Sequence, residues 1–191
     1  MRAQGEASGD FEALLKARLP EAYAQSQRPQ EEGHRARIIE AMSEGVSLTT
    51  LEHCADADSV AVLRPRRSRP EMARAIFRGF QYVGRPYDFD FDFATDAALV
   101  CTEVIYKAYE PAGDLRGLEL PLVDMLGRKV TPANAIARQF DAQHGTEQQQ
   151  FDLIAFLNGN ESAGKAVVGS LEEFRQSWRR PKWHLLTQTK P

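Results

Sequence analysis

The order in which strand-like and helix-like runs follow one another constrains this chain most. RIIEAM (Arg37 to Met42) and SVAVLRP (Ser59 to Pro65) have strand composition, with Ser43 to Gly45 as a turn after the first. Gly45 suits a positive φ there. A helix is expected between Phe11 and Leu19, stopped by Pro20, and Ser26 to Arg35 has loop composition. LTTLEHCA (Leu48 to Ala55) reads as one or two helical turns behind a threonine cap. Ser68, Pro70 and Glu71 signal a helix start, and Ala73, Ile76, Phe77 and Phe80 supply its apolar face up to Gly84 and Pro86. Further helices are expected from Cys101 to about Tyr109, from Thr131-Pro132 to about Phe140, and from Ser170 to Trp178 behind a Ser170–Glu173 capping box. FDLIAFL (Phe151 to Leu157) reads as a strand closed by Asn158-Gly159. Strands and helices thus mix without strict β-α alternation, which predicts an α+β fold rather than a doubly wound sheet.

The chain of 191 residues, 42% of them hydrophobic, suits one sizeable core. A principal domain over 1–145 is expected, with 146–191 as a strand–helix extension packing on it. Gly145 to Gln150 is the expected flexible joint. A net charge of −3 demands neither nucleic acid nor an anionic membrane as partner. The basic clusters RPRRSRP and SWRRPKW read as solvated surface. Two cysteines make no disulfide framework, and no His/Cys cluster has zinc spacing. No apolar run reaches the ~18 residues that span a bilayer. The opening residues lack the apolar stretch of a signal peptide, so with Met1 as the start the default compartment is the cytoplasm.

The chemistry concentrates in YDFDFDFATDAALVCTEVIYKAYE, Tyr87 to Glu110. Asp88, Asp90 and Asp92 alternate with Phe89, Phe91 and Phe93, a period-two strand pattern with the acids on one face. The run lacks the glycine and distal glutamate of a calcium loop, so no metal is expected. Cys101 follows the apolar AALV. With helical geometry starting near Val100, its sulfur falls in the first turn, where unpaired N–H groups favour a thiolate and can hold an oxyanion. The competing reading is a small buried, inert cysteine. Cys54, in EHCADAD, has less to suggest reactivity.

VCTEVIYKAYE, preceded by GRPYDFDFDF and further upstream by IIEAMSEGV, resembles the circularly permuted NlpC-type cysteine hydrolases of the YiiX/YebB-like group. Gly84, Pro86, Tyr87, Asp88 and Phe89 fit the first half of that family's motif. Cys101, Thr102, Glu103, Tyr106 and Tyr109 fit the second. The likeness covers roughly residues 36–140. It implies a permuted papain-like α+β fold, with a small antiparallel sheet, strands near 36–41 and 59–64 among them, packed on the helix of a nucleophilic Cys101. It also implies that Glu40 orients a histidine and that Tyr87 lies near the site. The bond cleaved would be an amide, ester or thioester in a peptide, another amide or an acyl lipid, with no cofactor. Lecithin-retinol-acyltransferase-like proteins share the permuted order, which keeps an acyltransferase or thioesterase open.

The family's histidine sits on a strand just before the IIEA strand, and here the pattern departs. The only histidine upstream of Ile38 is His34, six residues before Glu40, or ~20 Å along an extended strand. His53, His144 and His184 match no motif position. The first expectation is a late start, with the histidine strand upstream of Met1. The others are a diverged site that recruits His34 or His53, and a binding module without chemistry.

Overall fold

The computed structural model describes residues 8–29, 33–90, 96–113, 115–125, 127–160 and 164–180. Helix α1 (Ser8–Arg18) runs almost directly into α2 (Pro20–Gln27). Pro20 therefore starts a helix as well as ending one. Its fixed φ suits the first helical turn, and its missing N–H would have no partner there anyway. Part of the expected loop from Ser26 is the last turn of α2.

Strand β1 (Ile38–Met42) turns back into β2 (Gly45–Thr49), pairing Ile38 with Thr49 and Met42 with Gly45. Helix α3 (Leu51–Cys54) follows, capped by the Thr50 hydroxyl accepting from the His53 N–H at 3.2 Å. Strand β3 (Ser59–Pro65) leads to α4 (Arg69–Tyr82), which carries a complete Ser68–Glu71 capping box. Helix α5 (Cys101–Ala108), the hairpin of β4 (Val123–Met125) and β5 (Arg128–Val130), and α6 (Ala133–Gln143) come next. Strand β6 (Phe151–Asn160), β7 (Lys165–Val168) and α7 (Leu171–Ser177) complete the order.

The two expected strands do not share a sheet. β1 pairs with β2, whereas β3 pairs antiparallel with β6, and β6 with β7. Asn158 and Gly159, expected to close β6, lie inside it opposite Ser59 and Ala166. Glycine is required at 159, because a Cβ would strike the Asp58 carbonyl. The Gly145–Gln150 stretch is pinned rather than loose. The Gln149 side-chain Oε1 accepts from the Gly145 N–H at 2.8 Å, and Gln149 and Gln150 are buried. Across the segment expected as an alternating strand, Asp88 Oδ1 accepts from the Asp90 N–H at 2.9 Å in a turn. Residues 91–93 lie outside the described residues.

Two apolar clusters hold the fold. Phe140, Phe151, Phe156 and Phe174 join Leu118 and Leu120 between β6, α6 and α7. Ala41, Val46, Tyr82, Leu99 and Val104 form the second, with Ile39 and Tyr87 against it, and it seats the start of α5 on the β1–β2 hairpin. The buried residues of α4 are Ala75, Gly79 and Tyr82, one step round from the expected face, so Ile76 is exposed. Close approach explains the rotation: a Cβ at Gly79 would meet Ile39 Cδ1 at 3.1 Å.

Gly45 links the hairpin to the segment before α5. Its φ is 106°, and a Cβ there would collide with the Arg85 carbonyl. Directly after it, Val46 N–H donates to Arg85 O and Val46 O accepts from Gly84 N–H, both at 2.8 Å. Gly45→Ala should lower stability by about 1–3 kcal/mol, read as a lower urea midpoint with unchanged slope. An unchanged midpoint would show that this junction is not under steric control.

Candidate active site

Cys101 is the first residue of α5 and is exposed. Its flanks explain both facts. Leu99 and Val100 before it are 0% and 2% exposed, and Val104 is buried one turn later. The chain therefore enters the helix through the core and turns the sulfur outward. The N–H groups of Cys101 and Thr102 are among those that helix geometry leaves without an intrahelical carbonyl. They bring partial positive charge to the end of the helix where the sulfur sits. Ile105 is 43% exposed. Glu103 and Lys107 are buried instead.

Tyr87 lies beside this turn, in a parallel bridge to Leu99, with its ring 5.0 Å from that of Phe89. Burial raises its phenol above the ordinary value, and the charges of Cys101 and Asp88 add to the effect. Tyr87 thus keeps its proton at neutral pH and can act as a donor next to the thiol.

Glu40 is central in β1, and its Oε1 is 2.8 Å from Nδ1 of His53 in α3. A carboxylate only accepts, so in this contact an ionised Glu40 takes the Nδ1 proton of the imidazole as its hydrogen bond. Sequence reasoning named His53 only as a fallback, since no motif marks it. The Thr50 cap that starts α3 is the local signal that sets it three residues into a turn. Glu44, in the β1–β2 turn, is held below the ordinary carboxylate value by the Ser43 hydroxyl and its own backbone, with a smaller contribution from His53. His34 stands elsewhere: its Nδ1 is 3.0 Å from Glu52 Oε1, and both side chains are about half exposed. It is therefore not the partner of Glu40. Burial, then the charge and hydrogen bond of Glu40, push the Cys54 thiol up, which keeps it protonated.

Glu103 was visible in the sequence only as a motif match. It is 0% exposed, and its Oε2 accepts from the Val100 N–H at 3.3 Å. This is half of a capping box, because valine has no side-chain acceptor to complete it. Oε1 is buried with no hydrogen-bond partner among the described residues. Burial pushes the carboxyl up from 4.5 to about 7, against the Val100 hydrogen bond and the Lys107 charge. Among the described residues no group of three or more His, Cys, Asp or Glu side chains could hold a metal ion. None of the described helices is long and apolar enough to cross a membrane.

The folded protein binds the Glu103 proton more tightly than the unfolded chain does. Its stability contribution is greatest at acid pH and is lost as pH rises from about 4.5 to about 7. Glu103→Gln should remove a loss on the order of 3 kcal/mol from the pH dependence of unfolding. Denaturant midpoints of parent and variant from pH 5 to 8 test this. Parallel curves would contradict a buried, titrating Glu103.

Comparison with known proteins adds one finding. The family model described as permuted papain-like amidase enzyme, YaeF/YiiX, C92 family, matches residues 23–153, more than half of the chain. No curated protein and no solved structure matches it.

Proposed function

Since the chain belongs to the permuted papain-like amidases of the YaeF/YiiX, C92 family, we propose that it is a cysteine amidase with Cys101 as nucleophile. The observation that carries this is an exposed sulfur at the first residue of a helix, directly after two buried residues and beside a protonated tyrosine.

The steps follow from the groups present. The Cys101 thiolate attacks the carbonyl carbon of an amide. Negative charge gathers on the carbonyl oxygen, where the Cys101 and Thr102 N–H groups and the Tyr87 hydroxyl can donate to it. The C–N bond breaks, the amine leaves with a proton, and water hydrolyses the thioester to return the thiol. His53 is the proton carrier in this proposal, with Glu40 fixing its tautomer and stabilising its charged form. Two sets of contacts lead towards one end of the hairpin. His53 acts on Glu44 in the turn, while Val46 beyond that turn is bonded to Arg85, just before Tyr87 and the thiol.

One observation favours a second reading. Side chains alternate faces along β1. Ile39 and Ala41 pack in the cluster with Leu99 and Val104, so Glu40 and its histidine take the opposite face from the body of α5. On this reading Cys101 has no general base among the described residues, and the chain is a binding module on a hydrolase scaffold.

Alkylation by iodoacetamide separates the two, measured against pH in a Cys54→Ala background. An amidase site predicts a reaction pKa below about 8.5 that rises when His53→Ala is added. It also predicts that Cys101→Ala abolishes amide hydrolysis. A reaction pKa at or above ~8.5 that ignores His53 would overturn the catalytic reading.

A further inference from the structure

We infer that Glu103 is a positioning residue for Cys101: it ties down the residue that starts α5 and couples its own charge to the reactivity of the thiol two residues earlier. This rests on the reading of Cys101 as nucleophile. The geometry supports it in two ways. The Oε2 contact to Val100 holds the residue immediately before Cys101, so the direction of the first-turn N–H groups depends on this carboxyl. The other oxygen, Oε1, lies buried without a donor. A charged form there has little to compensate its lost hydration, so the neutral acid is the comfortable state.

The surroundings compensate such a charge only in part: the Val100 N–H and the Lys107 charge favour it, and burial outweighs them. Lys107, one turn further along α5, is engaged by Asp96 at 3.0 Å and by Glu110 at 4.0 Å. Asp88 and Asp96 both act against ionisation of Glu103. From α4, Arg78 donates to the carbonyls of Lys107 and Glu110 at the far end of α5, and the Tyr82 phenol is buried. Tyr87 stays protonated beside Cys101. From β1, Glu40 is directed to His53. A charge arriving on Glu103 near neutrality therefore falls at the positive end of α5 without an adjacent free cation among these groups. It opposes a thiolate on Cys101 and an oxyanion at the same amides.

Glu103→Gln keeps a carbonyl acceptor for Val100 and never acquires charge. In the Cys54→Ala background it should raise the iodoacetamide rate of Cys101 at pH 8 roughly three- to tenfold and leave the rate at pH 5.5 nearly unchanged. Identical profiles for folded parent and variant would overturn the inference. A measurement without the substitution guards against misfolding. Cys101 is alkylated either with iodoacetate, which leaves a negative adduct, or with iodoacetamide, which leaves a neutral one. The Glu103 carboxyl is then titrated by 13C NMR. The negative adduct should raise the Glu103 midpoint relative to the neutral one, by the reciprocity of coupled sites. Equal midpoints would overturn the coupling. The two claims fail separately. Absent coupling with Cys101-dependent hydrolysis intact defeats only this inference. Coupling present with hydrolysis indifferent to Cys101 defeats only the functional reading.

Discussion

The packing of Leu99, Val100 and Val104 is the constraint on which the rest of the site depends. These three side chains bury the entry and first turn of α5, largely against the β1–β2 hairpin, and leave Cys101 no inward path. Burial of this kind is worth roughly 1.5–3 kcal/mol per large aliphatic side chain, far more than the few tenths at stake in where an exposed thiol points. Hydrophobic packing thus decides the position, and the backbone amides decide the chemistry available there. A cysteine one residue earlier would take the buried place of Val100 and lose its exposure.

The hairpin joins this helix start to the rest of the site. Gly45 permits the backbone of 84–86 to lie against the β1–β2 turn, and Val46 is hydrogen bonded on both sides to Gly84 and Arg85. Tyr87 continues from that junction into its bridge with Leu99. The Gly-Arg-Pro-Tyr stretch is therefore a tie between strand and helix, which gives a structural reason for those residues alongside any contact with substrate. The polar face of the hairpin is organised separately, around Glu40, His53 and a protonated Cys54.

Much of this was legible in the sequence, for identifiable reasons. The Ser68 and Ser170 caps signal helix starts through local side-chain hydrogen bonds, and the structure has both. The start of α5 follows from an apolar run meeting a helical period, and the permuted papain-like α+β class agrees with the family match. What was not legible depends on partners distant in sequence. Nothing local to SVAVLRP reveals that it pairs with residues 151–158 instead of the IIEA strand. β2, β4, β5 and β7 are too short or too weakly alternating to read. His53 belongs to no motif, and its meeting with Glu40 requires α3 to fold over β1. Glu103 stood out in the sequence as a motif match, but its burial follows only from the fold.

The central claim is that the start of α5 makes Cys101 an activated thiol, and the chain contains its own control. Cys54 is also exposed, but partial burial of its thiol, and then Glu40, hold it protonated. The decisive measurement is the rate of iodoacetamide labelling of both cysteines in one folded sample at pH 7, resolved by peptide mass spectrometry. The account predicts that Cys101 reacts roughly tenfold faster than Cys54, or more. Equal rates, or a faster Cys54, would contradict it.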